Sequence, residues 1–233
     1  MSEPILRRPR LAIALDVDDQ DAAMRLAASV AAYFDVAKVG LELYAAAGPS
    51  VVEQLVSSGY SVFVDLKLHD IPTTVERAAR VLGRLGASYA TVHAAGGVDM
   101  LAAAVAGFKE GADSVGLPAP VTLGVTVLTS DVDAPAGLLS ERVRVVLAAG
   151  AGGVVCAAPD LSVVKRVAPD LVAVVPGVRP ENADAHDQSR VATPRDAVAM
   201  GADVLVIGRP VARAGDPAKA AEAIARSLGL LAR

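Results

Sequence analysis

The sequence predicts an α/β fold, a (β/α)8 barrel of the TIM type forming a single domain over residues 1–233, and three observations carry that prediction. Eight short apolar runs alternate with stretches of helical period, the order that builds a parallel sheet. The Gly-x-Gly-x-x-Gly turn usual after the first strand of an open doubly wound sheet is missing, and eight strands are the number that closes a barrel. No linker or shift in composition divides the chain.

A first strand over 11–15 leads to Asp16 and Asp18, and residues 19–32 read as a helix with Ala22, Leu26 and Val30 on one stripe. The second strand, 36–40, carries Lys38 in its middle; 42–57 is helical, with a break expected at Gly48-Pro49. The third strand is 61–66, β-branched and aromatic at Val62, Phe63 and Val64. Pro72, which has no backbone N–H, opens the helix over 71–85. Strand 89–93 ends at His93 and precedes a helix at 98–109. Strand 121–127 runs into Leu128-Thr129-Ser130, followed by a helix over 138–149. Then come strand 153–157, helix 161–167, and strand 171–175 ending in Pro176-Gly177-Val178-Arg179-Pro180. The polar stretch 181–190 is too long for a plain connection, the kind of loop that is functional or disordered. Helix 194–200, strand 203–207, Gly208-Arg209-Pro210 and a helix over 217–228 complete the alternation.

Composition agrees with this order. Hydrophobic residues make up 53% and aromatics 3%, with no Trp, which suits Ala, Val and Leu packed between helices and parallel strands rather than a β-sandwich. A net charge of −4 argues against a general nucleic-acid surface while leaving room for local positive sites. The one cysteine, Cys156, excludes an intrachain disulfide and a Cys/His zinc cluster, and reads as a small buried strand residue. The first ten residues lack the apolar segment of a signal peptide, and no apolar run approaches membrane-spanning length. A cytoplasmic protein without membrane or nucleic-acid partners is the expectation.

In such barrels the active site lies at the C-terminal ends of the strands. Those ends carry Asp16, Lys38, Asp65, Lys67, Asp70, His93, Thr129, Ser130, Pro176, Arg179, Gly208 and Arg209. Unrelated surface charges would not fall so consistently there. Asp65 and Lys67 are two apart and share a face of their strand, and Asp70 lies just beyond, free to turn back toward Lys67 or across to a neighbouring subunit. An Asp-x-Lys pair alone could be a structural ion pair; the third charge and the Pro-capped helix favour a site. Carboxylates beside a lysine favour its ammonium form, and an ammonium held next to a substrate carbon suits a reaction that forms a carbanion and then needs a proton. The rival use of Asp16, Asp65 and Asp70 is a divalent metal, against which the interleaved Lys38 and Lys67 argue. Gly208-Arg209-Pro210, between strand and helix, suits a phosphate or else is a plain turn with a surface Arg. Arg179 and Gln188 are the favoured contacts from the preceding loop, and Arg190 is equally well a solvated charge. Thr129 and Ser130 either bond a planar ring or cap the next segment, while His69 and His93 read as structural.

With those residues assembled, the chain resembles the orotidine 5′-phosphate decarboxylase family over nearly its whole length. The likeness rests on Ala14-Leu15-Asp16, Ala37-Lys38-Val39-Gly40, D-L-K-L-H-D-I-P-T-T from Asp65 to Thr74, Leu128-Thr129-Ser130, P-G-V-R-P from Pro176, D-Q-S-R-V-A-T-P from Asp187, and Gly208-Arg209-Pro210. The resemblance implies a barrel that works as a homodimer without metal or organic cofactor. It implies Lys67 as proton donor to C6 of the pyrimidine, with Asp65 beside the departing carboxylate. Lys38 and Asp16 would hold the ribose. Asp70 and Thr74 would reach the partner's site, and Ile71 would contact the substrate. Thr129 and Ser130 would face the base, Pro176 would contact the substrate, and Gln188, Gly208 and Arg209 would hold the phosphate, with Arg179 in support. The segment after Ser130 is shorter than in many relatives, and Ala95 stands where they often have Ser. Magnesium-dependent enzymes acting on sugar phosphates share the Asp-x-Lys-x-x-Asp pattern, but typically carry an acidic residue at the position of Lys38.

Overall fold

Strand pairing closes on itself. In the computed structural model, which describes residues 8–128, 131, 134–135, 137–179 and 192–232, eight parallel strands form a barrel in sequence order. They are β1 (Arg10–Ala14), β2 (Val36–Gly40), β3 (Ser61–Leu68), β4 (Tyr89–His93), β5 (Val121–Val125), β6 (Gly153–Val155), β7 (Val172–Val175) and β8 (Val204–Ile207). The seam is β1 against β8, with Ile13 opposite Ile207. The helices are α1 (Gln20–Val30), α2 (Leu41–Ala47), α3 (Ser50–Ser57), α4 (Pro72–Arg84), α5 (Gly97–Asp113), α6 (Leu138–Ala148), α7 (Leu161–Val167), α8 (Pro194–Ala199), α9 (Arg209–Ala212) and α10 (Pro217–Ser227). None of the described helices is long and apolar enough to cross a membrane.

Period-two alternation divides the strand residues between two cores. Ala12, Val36, Phe63, Tyr89, Leu123, Val174 and Val204 fill the barrel interior. Leu11, Ile13, Val39, Val62, Val64 and Ile207 point outward and pack beneath the helices. Two rings suffice inside: Phe63 and Tyr89 meet edge to face, centroids 6.2 Å apart. The N-terminal end is closed by Arg10, whose guanidinium donates to Asp35 (2.6 Å), the Tyr89 hydroxyl (2.6 Å) and Ser61 (2.8 Å). This polar plug leaves the opposite end as the open one.

Local signals explain where the helices begin and break. Asp19 caps α1 by accepting from the Ala22 N–H, Thr193 caps α8, and Asp216 caps α10. Gly48, at a φ of 65°, ends α2, and α3 begins after Pro49, so the expected break is present.

Helices α4 and α5 touch along glycines. A Cβ at Gly107 would drive into the Glu76 carbonyl, one at Gly111 into that of Arg80, and one at Gly83 into that of Phe108. Gly111→Ala would gain about 1 kcal/mol of helix propensity, but forcing the backbones apart costs up to about 3 kcal/mol. The expected result is a melting temperature lower by roughly 4–8 °C, read by calorimetry. An unchanged or raised value would contradict this packing.

Candidate active site

At the C-terminal ends of the strands a cavity of about 250 Å³ opens. Its floor is apolar, made by Ala14, Phe63, Val125, Val155 and Val206. One wall, from β1 to β3, carries Asp16, Lys38, Asp65 and Lys67; the other, from β7 and β8, carries Pro176, Arg179, Gly208 and Arg209. Cys156 is fully buried, as expected, and its atoms contribute to the lining.

The four charges form an alternating row. Lys38 Nζ donates to Asp16 Oδ1 at 2.9 Å and lies 3.9 Å from Asp65 Oδ2; Lys67 Nζ donates to Asp65 Oδ1 at 3.0 Å. The middle of the row is the driest part, with the Lys38 and Asp65 side chains 11% and 15% exposed against 59% for Asp16 and 34% for Lys67. Each buried charge therefore has an opposite neighbour, the condition under which such groups are tolerated. Among the described residues no three His, Cys, Asp or Glu side chains converge as a metal-ligand set.

Plain alternation predicts that Asp65 and Lys67 share a face, and they do meet, but by a different route. Val64 pairs with Ala90 and Leu68 with Val92, so four steps along β3 match two along β4. Within this bulge Lys67 takes a φ of 52°, the only positive value at a non-glycine residue among those described. That conformation costs a lysine about 1–2 kcal/mol. Its N–H donates to Thr91 Oγ1 at 2.9 Å, and the Thr91 hydroxyl donates to Asp65 Oδ1 at 3.0 Å. Sequence reading missed Thr91; the available signal was a hydroxyl at an inward position of β4, one pleat below His93. The apolar floor was missed too, because its residues are ordinary strand valines until the barrel closes.

The β7–β8 wall brings Pro176, Arg179, Gly208 and Arg209 together on one side of the cavity. Arg179 is buried, its N–H donating to the Ala192 carbonyl at 3.0 Å, beside a bridge between Val178 and Ala192. The helix expected over 217–228 is present as α10, but Gly208 leads first into the single turn α9, which was not expected and is too short to build a substantial dipole. Arg209 itself is the main positive group there. Thr129, Ser130, Gln188 and Arg190 lie outside the described residues.

Asp70, Ile71 and Thr74 stand apart from the cavity of their own chain. They are exposed on the rim where β3 meets α4, with Asp70 Oδ1 accepting the Ile71 N–H at 2.6 Å and Ile71 66% exposed. His69 and His93 stack beside them, ring centroids 5.4 Å apart, and His93 Nδ1 accepts the Ala95 N–H at 3.2 Å. Burial first, then the nearby His69, Arg142 and Lys67, hold the His93 pKa below its ordinary 6.5. In the unfolded chain His93 binds its proton more readily, so its contribution to stability is present above pH 6.5 and is lost as acidification passes through the folded-state pKa. His93→Gln should flatten the fall in stability below pH 6.5, measured by urea titrations across that range. An unaltered slope would contradict this.

The profile of the Orotidine 5'-phosphate decarboxylase / HUMPS family matches residues 9–224. The chain is 47% identical over 230 residues to an orotidine 5′-phosphate decarboxylase of Anaeromyxobacter sp. (strain K), covering 94% of this chain and 98% of that protein. It is also 47% identical to the one from Thermobifida fusca (strain YX), covering 94% and 95%. Among solved structures, orotidine 5′-phosphate decarboxylase from Lactobacillus acidophilus superposes with a TM-score of 0.82 at 33% identity, covering 95% of this chain and 99% of that one.

Proposed function

The chain belongs to the orotidine 5′-phosphate decarboxylase / HUMPS family, and we propose that it converts orotidine 5′-monophosphate to UMP and carbon dioxide, the last step of de novo pyrimidine synthesis. The observation that carries this reading is the Asp16–Lys38–Asp65–Lys67 row facing Arg179 and Arg209 across one cavity. Such a cavity suits a ligand with an anionic phosphate at one end and a carboxylated ring at the other.

In the proposed reaction the phosphate lies at Gly208 and Arg209, with Gln188 from the loop and Arg179 behind. Lys38 and Asp16 hold the ribose hydroxyls. Thr129, Ser130 and Pro176 face the pyrimidine. Its carboxylate then lies against Asp65, a like charge whose repulsion is relieved as neutral carbon dioxide leaves. The C6–carboxyl bond breaks, its electron pair stays on C6, and the Lys67 ammonium transfers a proton to that carbon. Solvent returns a proton to the lysine. No metal ion or organic cofactor enters this sequence.

The same proposal includes a cytoplasmic homodimer. Exposed Ile71, together with Leu41 and Val98 at the starts of the helices after β2 and β4, gives the open end of the barrel an apolar rim. Pairing two such rims would carry Asp70, Ile71 and Thr74 toward the partner's cavity, which explains carboxylate and hydroxyl groups left facing solvent at a site's edge.

Family relatives that use magnesium on sugar phosphates are the competing reading. Lys38 Nζ stands 2.9 Å from Asp16 and 3.9 Å from Asp65, where an ion shared by those carboxylates would otherwise go. Purified protein is therefore offered orotidine 5′-monophosphate and, separately, 3-keto-gulonate 6-phosphate with magnesium, and products are identified by chromatography. UMP from the first and no product from the second is the expected result. The reverse pattern would overturn the assignment.

A further inference from the structure

We infer that Thr91 is a positioning residue for the reaction, fixing both the backbone and the carboxylate that aim the Lys67 ammonium; this inference rests on the function proposed above. Thr91 is 1% exposed and sits on β4, one strand away from the groups it holds. Its hydroxyl oxygen accepts the Lys67 N–H at 2.9 Å and its single proton goes to Asp65 Oδ1 at 3.0 Å. The direction of both bonds is forced. An amide N–H can only donate and an ionised carboxylate can only accept, so the hydroxyl must do one of each.

Two consequences follow from that geometry. The bulge in β3 takes Lys67 out of register with β4, and its N–H is paired with the Thr91 hydroxyl. That bond holds a lysine at a φ of 52°, a conformation it would otherwise leave. The second consequence concerns Asp65. Thr91 and Lys67 Nζ both converge on Oδ1, which fixes the carboxylate's rotation and leaves Oδ2 on the side of Lys38, at 3.9 Å. A hydroxyl that never touches substrate thus sets which carboxylate oxygen faces which lysine.

The test compares Thr91→Val, which keeps the branched shape and loses both bonds, with Thr91→Ser, which keeps the hydroxyl. Turnover of orotidine 5′-monophosphate, melting temperature and crystal structures are measured for each. Thr91→Val is expected to lower kcat by roughly ten- to a hundredfold with KM changed less than about threefold, since small misplacements of a reacting group carry costs of that order. Thr91→Ser is expected to stay within about threefold of the parent. If Thr91→Val fails to fold, Thr91→Cys, whose thiol donates and accepts weakly, takes its place in the same comparison. A folded Thr91→Val enzyme with kcat within about twofold of the parent, or a Thr91→Ser enzyme as impaired as Thr91→Val, would overturn the inference. Should the parent protein leave orotidine 5′-monophosphate unchanged, the function reading fails, and the crystal structures decide the role of Thr91 by themselves. Loss of the 3.0 Å Lys67–Asp65 contact in Thr91→Val would then support positioning, and an unmoved pair would overturn it.

Discussion

Lys67→Ala is expected to abolish decarboxylation while leaving a folded protein that still binds UMP. Removing a general acid from a preorganised site costs roughly 10³-fold or more in kcat. The stability cost should be small, about 1 kcal/mol, because the lysine side chain is one-third exposed and Asp65 keeps two neighbours, the Thr91 hydroxyl and Lys38. UMP lacks the carboxylate and already carries the proton at C6, so its affinity depends on the ribose and phosphate contacts and should change much less than turnover. Stopped-flow turnover and calorimetric titration with UMP separate the two quantities. Near-normal turnover in the variant would show that another group delivers the proton.

Asp70→Ala alone is also expected to be severely impaired, by roughly 10²-fold or more, as for loss of a charge that orders an active-site ammonium. Mixing it with Lys67→Ala gives a sharper result. If Asp70 completes the partner's site, a heterodimer holds one site damaged twice and one site with its own Lys67 and the other chain's Asp70. Random exchange at equal amounts makes half of the dimers mixed, so activity should return to about a quarter of the parent's. No recovery, with exchange verified by mass spectrometry of the assemblies, would assign Asp70 and Lys67 to the same chain's site. The exposed rim position of Asp70, outside its own chain's cavity, is what motivates the prediction.

The alternation of elements was legible because each strand is short, apolar and bounded by Gly, Pro or charge. β2, β4 and α7 run over the residues expected, and α5 extends past its expected end at Lys109 to Asp113. That extension has a physical reason: Gly107 and Gly111 seat the helix against α4, so residues that look like breakers in isolation are contact points. Asp16, Lys38, Asp65 and Lys67 were legible as well, since charges at the ends of apolar strands need one another. The bulge at Lys67 was not, because period-two alternation already accounts for Asp65 and Lys67 sharing a face without it. Thr91 stayed hidden for a related reason. Its two bonds go to Lys67 and Asp65 on the neighbouring strand, 24 and 26 residues back along the chain, and in Y-A-T-V-H the only sign of them is a hydroxyl at an inward position.

The most direct measurement is the loss of orotidine 5′-monophosphate absorbance on adding purified protein, with and without EDTA. Rapid loss at the same rate in both is the predicted result, in keeping with a row in which ammonium groups separate the carboxylates. Loss only without EDTA would contradict it and point to a metal-dependent reaction, and no loss from folded protein would leave the barrel standing and remove the decarboxylase assignment.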